Sequence, residues 1–453
     1  MTTAVTRQEA TSTGHRADLV AGACALLLVA AALVVGMLTG ARLHGGERFP
    51  GASPSFGEYP VLGHLSPHVG PGTLLAVLVA AAVVAWGPAL AERLRWRAVL
   101  AVAYLTSVAW ILALALVDGW RPGVVHRLET REEYLHEVPG ITDIPAMLRE
   151  FAARIPAGQP DSWTTHVSGH PPGATLTFVW LDRIGLGGPT AAALFCVAVA
   201  GLVAVAVPAT VAVLGRVDQA RAAIPFGCLL PGAVWLGVSA DAMFAGVAAV
   251  GVLLFALGAA RRRWWLCAAG GAVLGWSVFL SYGLVLMAPV ALAVVLVTRC
   301  WRALAYAVPA ALAVAGVFAL AGFWWLDGYD LLVRRYHDGI ASARPYWYWV
   351  WANLACLALA VGPAVAAGLR RTAPEFLVPR PSPVPALARG AALAVLAADL
   401  SGLSKAETER IWLPFAVWLA VAAATLPGGS RRWWLAAQAA TALAVNHVLL
   451  TNW

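Results

Sequence analysis

The stretch LVAGACALLLVAAALVVGML, residues 19–38, decides the fold class of this chain. It holds no charged residue, and an α-helix needs about 20 apolar residues to cross a hydrocarbon core. Uncharged runs of similar length recur at 190–214 and 303–320. Because lipid offers the backbone no hydrogen-bond partner, such segments are helical. The recurrence favours a polytopic helical membrane protein over a single cleaved signal peptide.

The composition agrees with a chain that lies mostly in a lipid bilayer. Of 453 residues, 60% are hydrophobic and 12% are charged, whereas soluble domains carry about 25% charged residues. The net charge of +8 could indicate nucleic-acid binding, but the arginines occur in short clusters between apolar runs, where they determine topology. We therefore expect no nucleic-acid partner. The six cysteines lie in or beside apolar runs, without the spacings typical of disulfide frameworks or zinc sites.

The lengths of the apolar runs predict an all-α transmembrane bundle of about thirteen spans. We place the spans near 19–41, 73–90, 97–117, 189–214, 222–238, 242–260, 264–280, 283–298, 303–325, 346–369, 389–403, 411–427 and 432–450. Three units are predicted: an N-terminal transmembrane hairpin at 1–93, a core module at 94–300 and a C-terminal module at 301–453. The core module carries a long outer loop at 118–188. The C-terminal module includes a segment at 372–388 whose five prolines are typical of a stiff cytoplasmic linker.

The arginine clusters predict a single orientation. If the N-terminus is cytoplasmic, every short arginine cluster lies inside, as the positive-inside tendency requires. These clusters stand at 93–97, 216–221, 261–263, 299–302, 370–371 and 431–432. The histidines after residue 15 and the single lysine then fall outside or near the outer ends of helices, mainly in the segments 42–72, 118–188, 326–345 and 402–410. The expected location is the plasma membrane, with the polar residues on the extracytoplasmic side.

The long outer loop carries the first set of candidate functional residues. Its carboxylates include Asp118, Glu132, Glu133 and Asp143, and near its end follow His166 and His170. Between them, residues 144–155 have an amphipathic pattern that suits a short helix at the membrane interface. A carboxylate held just above the hydrocarbon could deprotonate a hydroxyl. The alternative is an ordinary solvated loop with surface charges and helix caps.

A second set lies in LSKAETERIWLPF, residues 403–415. Lys405 and Arg410 could bind a phosphate, Arg through a planar fork of donors and Lys as a point charge. They could instead be interfacial anchors, but anchoring does not explain the neighbouring Glu407 and Glu409.

Asp241 begins a helix at the outer face. It is either the N-cap of that helix or a functional acid at membrane depth.

Several short motifs together resemble the GT-C superfamily of integral membrane glycosyltransferases. They are His-Pro-Pro-Gly at 170–173, the Asp241-led helix, GWSVFLSYGL at 275–284 and ERIWLPF at 409–415. The resemblance covers roughly 97–427, and the last motif looks most like an actinobacterial branch that includes mycobacterial methylthioxylose transferases of lipoarabinomannan. Here two spans precede the helix that matches the first helix of that family, so we treat 1–93 as an added hairpin.

The resemblance implies an inverting transfer of a sugar from a polyprenyl-phosphate donor to a cell-envelope glycan acceptor outside the membrane. Glu133 or Glu132 then fits the general base, with Asp143 and Asp118 as competitors. His166, His170, Asp241, Lys405 and Arg410 fit substrate-binding positions. Outer carboxylates and histidines could also hold a divalent metal ion, although no spacing requires one and no other cofactor is indicated. The alternatives are a transporter or flippase of lipid-linked precursors and a non-catalytic scaffold.

Overall fold

The computed structural model describes residues 2–40, 43 and 59–451, with the backbone alone for 2–13. The part of the predicted outer segment that falls at 44–58 lies outside the described residues. The first eleven helices are α1 (Thr2–Thr39), α2 (Thr73–Arg93), α3 (Trp96–Ala115), α4 (Ile144–Glu150), α5 (Thr165–Gly169), α6 (Pro172–Leu181), α7 (Pro189–Gly201), α8 (Val203–Val213), α9 (Val217–Cys228), α10 (Ala233–Leu236) and α11 (Ala240–Arg261). The remaining ten are α12 (Trp264–Val278), α13 (Ala288–Thr298), α14 (Arg302–Leu320), α15 (Trp325–Asp338), α16 (Tyr346–Val361), α17 (Pro363–Thr372), α18 (Pro383–Leu400), α19 (Thr408–Ile411), α20 (Leu413–Leu419) and α21 (Arg431–Val448).

The predicted all-α fold is confirmed for the described residues. The one sheet found there is a single antiparallel pair, β1 (Gly63–Leu65) with β2 (Leu449–Thr451), in which Gly63 faces Thr451. Arg127 donates to the carbonyl oxygen of Thr451 at 2.9 Å and so fastens the long outer loop to this pair.

Seven helices of the described chain are long and apolar enough to cross a membrane, or up to nine if each of two bent helix pairs forms one span. The count of thirteen stays a prediction, because several predicted spans are shorter or broken. The span expected at 222–238 is divided into α9 and α10, and α16 turns by 105° into α17 beyond Gly362. Gly362 has φ 80°, a conformation that glycine adopts without steric cost.

Helix α11 lies at the centre of the bundle and packs against α7, α8, α12 and α20. Small residues allow its neighbours to approach closely: a Cβ atom at Gly270 of α12 would overlap the backbone of Phe255 in α11. Helices α1 and α14 are the least buried of the long helices, so they lie at the periphery.

The helices of the three predicted units intermingle. Within the segment 1–93, α1 packs against α16 and α17, whereas α2 packs against α3, α9 and α21. The proline-rich segment is partly helical, because α18 begins at Pro383. Proline suits a first helical position, since the N–H it lacks has no partner there.

Charged residues sort into two ends of the bundle. Glu92 at the end of α2 lies 3.9 Å from Arg431 at the start of α21, and Thr73 at the other end of α2 bonds His447 at the end of α21. These two contacts lie nineteen residues apart along α2, about 29 Å at 1.5 Å per residue. We call the end of the bundle that holds the contact between Glu92 and Arg431 the arginine-rich end. Asp18 pairs with Arg370 and Arg371 at this end.

The opposite end, which carries the loop 118–188, is the loop end. Each ion pair among the described residues joins two members of the same end. The arginine clusters and the charged residues of the long loop, which alternate along the sequence, thus lie at opposite ends of the bundle.

Candidate functional site

The outer loop folds so that its acidic segment meets its histidine segment. The backbone N–H of His166, in α5, donates to the carbonyl oxygen of Glu132 at 2.9 Å. Beside this bond, the Nδ1 atom of His166 lies 2.8 Å from Oε1 of Glu133, and both side chains are buried. A backbone bond and a side-chain contact therefore fix the position of Glu133.

Tyr134 and His170 contact each other next to the pair of Glu133 and His166. The Nδ1 atom of His170 lies 2.7 Å from Oη of Tyr134 and 2.9 Å from the carbonyl oxygen of His166. The Tyr134 ring stacks on Phe178 of α6. Burial raises the pKa of Tyr134 and lowers the pKa of His170, so both side chains favour their neutral forms.

Asp241 is held at the start of α11 without being its cap. Ser239 caps the helix instead, because its hydroxyl oxygen accepts from the backbone N–H of Ala242 at 3.2 Å. The carboxylate of Asp241 is buried and lies 3.1 Å from the guanidinium of Arg410. The N-cap reading of Asp241 is therefore wrong, and the residue forms a buried ion pair.

The guanidinium of Arg410 also lies 3.3 Å from the carboxylate of Glu407, so Arg410 bridges Asp241 and Glu407. The Arg410 side chain is 6% exposed. Glu407 and the preceding Ala406 have φ values of 63° and 70°, in the left-handed region. Residues with a Cβ atom rarely adopt this region, and the strain costs roughly 1–2 kcal/mol each. The turn is nevertheless held in place, because the backbone N–H of Ala406 donates to the Oδ1 atom of Asn353 at 3.2 Å.

Arg344 links Lys405 to Glu407. Its guanidinium donates to the carbonyl oxygen of Lys405 at 2.6 Å and lies 3.4 Å from Oε1 of Glu407. Lys405 in turn donates from Nζ to the carbonyl oxygen of Arg344 at 3.0 Å. Lys405 and Arg410 thus belong to one network, in which Arg344 and Glu407 connect the two residues.

The opposite charges of this network stabilise one another's ionised forms. Burial would raise the pKa of Glu133, but His166 and Arg410 outweigh it and lower that pKa. Burial likewise opposes ionisation of Glu407, whose pKa Arg344 and Arg410 lower. Burial would lower the pKa of Arg410, and Asp241 and Glu407 raise it. Glu133, Glu407 and Arg410 are therefore all charged at neutral pH.

Glu409 differs from these carboxylates. It is fully buried, and neither of its carboxylate oxygens has a hydrogen-bond partner among the described residues. Burial raises its pKa to about 7, and the nearby charge of Glu407 adds to the effect. Glu409 is thus poised between its neutral and ionised forms near neutral pH.

The other three candidate bases lie elsewhere. Glu132 is exposed, and Asp143 is an exposed N-cap that accepts from the backbone N–H of Ala146 at 3.0 Å. Asp118 pairs with Arg127 at 2.7 Å and with His68 at 2.8 Å, next to the β1–β2 pair. Of the four carboxylates, Glu133 is the one that is buried.

No group of three or more His, Cys, Asp or Glu side chains within the described ranges is placed to hold a metal ion. Instead, the carboxylates of Glu133, Asp241 and Glu407 face histidine or arginine. The divalent ion considered from the sequence stays an untested prediction.

Sequence reasoning missed Tyr134, Arg344 and Asn353 as parts of this network. Tyr134 could have been found from its place beside Glu133, but the positions of Arg344 and Asn353 in the chain give no such signal. Their roles depend on contacts with residues 399–407, which only the folded chain brings to them.

The arrangement places a buried, ionised carboxylate near a buried cation at the end of a membrane bundle. Such a pair can accept a proton on one side and stabilise a departing anion on the other. Comparisons of the chain with protein-family models, with curated proteins and with solved structures found no match.

Proposed function

We propose that this protein is a membrane glycosyltransferase that moves a sugar from a polyprenyl-phosphate donor to a cell-envelope glycan acceptor. One observation carries the proposal: Asp241, from the centre of the chain, lies 3.1 Å from Arg410 of the C-terminal third, and the outer loop packs against the same helix. Tyr134, next to Glu133, contacts His170, whose ring packs against Phe244 of α11. Glu133, Asp241 and Arg410 are thus brought to the loop end, where the charge of Arg410 lowers the pKa of Glu133. These are residues to which the GT-C resemblance assigns catalysis and substrate binding.

The proposed reaction uses Glu133 as general base. The acceptor hydroxyl oxygen attacks the anomeric carbon of the donor sugar, and its proton passes to the carboxylate of Glu133. The bond between the anomeric carbon and the phosphate oxygen breaks, and polyprenyl phosphate leaves with the electron pair. His166, 2.8 Å from Glu133, orients the carboxylate. Because inversion follows from a single displacement, no covalent intermediate on the protein is required.

Arg410 is the proposed contact for the donor phosphate. Its guanidinium already faces two carboxylates, so the donor would have to replace one of them. Glu407 is the weaker partner, at 3.3 Å from Arg410 and on a strained turn, whereas Asp241 lies at 3.1 Å. We therefore propose that the phosphate takes the place of Glu407 and that Asp241 keeps Arg410 in position.

We further propose that the protein lies in the plasma membrane with its N-terminus in the cytoplasm and the loop end outside. The arginine-rich end then faces the cytoplasm, as the positive-inside tendency favours. The donor lipid would reach the site from the bilayer, and the acceptor glycan would reach it from the extracytoplasmic space.

A transporter or flippase is the second candidate. Such proteins hold their substrate near the middle of the bilayer, where discontinuous helices meet. The bend of 105° between α16 and α17 is a discontinuity of that kind. However, the buried charges lie at the end of the bundle, since Asp241 is the second residue of α11. This position favours transfer chemistry over transport.

A reconstitution assay tests the function. The purified full chain in proteoliposomes would be offered a panel of labelled polyprenyl-phosphate sugars together with crude cell-wall glycans. We expect label to move from at least one donor into the glycan fraction. No transfer with any donor, together with movement of an intact labelled donor across the bilayer, would favour the transporter.

The variant Arg410→Ala, compared with Arg432→Ala, tests the phosphate contact. Loss of a charge-assisted contact in the transition state costs roughly 2–4 kcal/mol, so transfer should fall by about 30-fold or more with Arg410→Ala. Arg432→Ala should keep normal transfer. Because Arg410 is buried, Arg410→Lys and a thermal melt distinguish lost chemistry from lost folding. Equal transfer by both alanine variants would contradict a role for Arg410.

A further inference from the structure

A cavity lies at the opposite end of the bundle from the proposed active site. Its volume is about 560 Å³, and it opens between the ends of α2, α9 and α21. Its charged lining consists of Glu92, Arg216, Asp218, Arg221 and Arg431. The proposed transfer reaction makes no use of these residues.

An apolar groove of about 320 Å³ adjoins this cavity. It runs between α2, α3 and α9, and Pro225 lines both spaces. Along α2 the groove extends from Val79 to Ala91, and the exposed Trp86 is one of its lining residues. The cavity is therefore charged at the arginine-rich end and continues into an apolar groove that follows the helices toward the loop end.

The length of the groove matches one leaflet. Residues 79–91 of α2 cover about 18 Å at 1.5 Å per residue, and half of a hydrocarbon core is about 15 Å. An acyl chain of the leaflet at the arginine-rich end would thus fit beside a headgroup in the cavity.

The cations of the cavity exceed its anions, three arginines against two carboxylates. Arg216 forms a forked contact with Asp218, and Arg221 donates to the carbonyl oxygen of Leu94 at 3.0 Å. Arg431 donates from Nε to the carbonyl oxygen of Leu426 at 3.2 Å, and its Nη1 atom approaches Glu92 only to 3.9 Å. It is also the first residue of α21, where the helix dipole opposes a positive charge. The helix dipole therefore does not favour Arg431, whereas an anion in the cavity would pair with its guanidinium.

We propose that this cavity and groove bind one anionic glycerophospholipid of the surrounding bilayer. The phosphate contacts Arg431 and Arg216, and one acyl chain lies in the groove beside Trp86. Basic pockets between membrane helices bind anionic headgroups in this way. The site is independent of the proposed glycosyl transfer and lies at the other end of the molecule.

Native mass spectrometry of the delipidated full chain in detergent tests the proposal. Phosphatidylglycerol and phosphatidylcholine with identical acyl chains would be titrated separately. We expect one phosphatidylglycerol molecule to be retained in preference to phosphatidylcholine. Arg431→Gln should weaken this binding about tenfold, since a charge-assisted contact is lost. Glu92→Gln should strengthen it, because a like charge is removed from the cavity.

Two further variants separate the headgroup from the groove. Arg302→Gln removes an exposed arginine that does not line the cavity and should leave binding unchanged. Ala82→Phe fills the groove and should weaken binding of phosphatidylglycerol while the melting temperature is retained. Equal retention of both phospholipids, unchanged binding by Arg431→Gln, or preferential retention of added polyprenyl phosphate would overturn the proposal.

Discussion

At the residue scale, neighbouring carboxyl groups of the candidate site have opposite electrostatic surroundings. Glu407 faces two arginines, which lower its pKa. Glu409, two residues later, is fully buried beside the thiol of Cys356, and burial raises its pKa to about 7. The same short segment thus holds one acid that is ionised at neutral pH and one that is half protonated.

Glu409→Gln should remove a pH dependence of stability. The folded protein holds this proton up to about pH 7, whereas the unfolded chain releases it near 4.5. The stabilisation is therefore fully present below pH 4.5 and is lost as the pH rises to 7, in all about 3 kcal/mol. Melting temperatures in detergent should fall from pH 5 to pH 8 more steeply for the wild type than for Glu409→Gln. Glu132→Gln, at an exposed position, should keep the wild-type slope. Parallel curves for wild type and Glu409→Gln would contradict the raised pKa.

The sequence predicts some residues of the network and not their contacts. Glu133, Asp241 and Arg410 stand out because carboxylates and cations are rare in an apolar chain and because their motifs resemble a known superfamily. Which carboxylate lies near Arg410 depends on contacts between residues more than 150 positions apart. Local patterns carry no information on such contacts, so Glu132, Asp143 and Asp118 could not be separated from Glu133.

At the element scale, helix ends are the least predictable feature of the fold. Apolar runs predict α2, α3 and α11 to within a few residues, because each crosses the bundle without a break. The span expected at 222–238 is interrupted between α9 and α10, where Pro231 and Gly232 disfavour a continuous helix. At the end of α11, Arg262 takes the left-handed conformation, φ 52°, that usually belongs to glycine.

Arg262→Gly should stabilise the protein by about 0.5–1 kcal/mol. The side chain is exposed, so little is lost, while the strain of a left-handed residue with a Cβ atom is relieved. Arg261→Gly is the matched control. It removes the same charge from the same cluster but places glycine at the last residue of α11, which has no positive φ to relieve, so it should not stabilise the protein. Thermal unfolding in detergent measures both. Equal melting temperatures for the two variants would show that the conformation of residue 262 does not limit stability.

At the scale of the whole molecule, the two ends carry different chemistry. The arginine-rich end holds the charged cavity and the pairs of Asp18 with Arg370 and Arg371. The loop end holds histidines, carboxylates and the Arg410 network. Every proposed substrate contact depends on the loop end facing the extracytoplasmic side.

Cysteine labelling measures this orientation. A membrane-impermeant maleimide should label Gln159→Cys in intact spheroplasts, since this exposed residue lies in the outer loop. Arg262→Cys should react only after the membrane is made permeable. Five of the six natural cysteines are buried, and Cys24→Ser in the parent chain removes the exposed one. Labelling of Arg262→Cys alone in intact spheroplasts would reverse the orientation and place the proposed site in the cytoplasm.

The measurement that tests the central claim most directly is the transfer rate of Glu133→Gln in proteoliposomes, beside Glu132→Gln. Glutamine keeps the size of the side chain and can still bond His166, but it cannot accept the proton of the acceptor hydroxyl. General base catalysis is worth about 10²–10⁴ in rate. Transfer by Glu133→Gln should therefore fall by that factor with donor binding retained, while the exposed Glu132→Gln keeps its rate. Near-normal transfer by Glu133→Gln would contradict the proposed role of Glu133. If Glu132→Gln lost transfer instead, the general base would be Glu132.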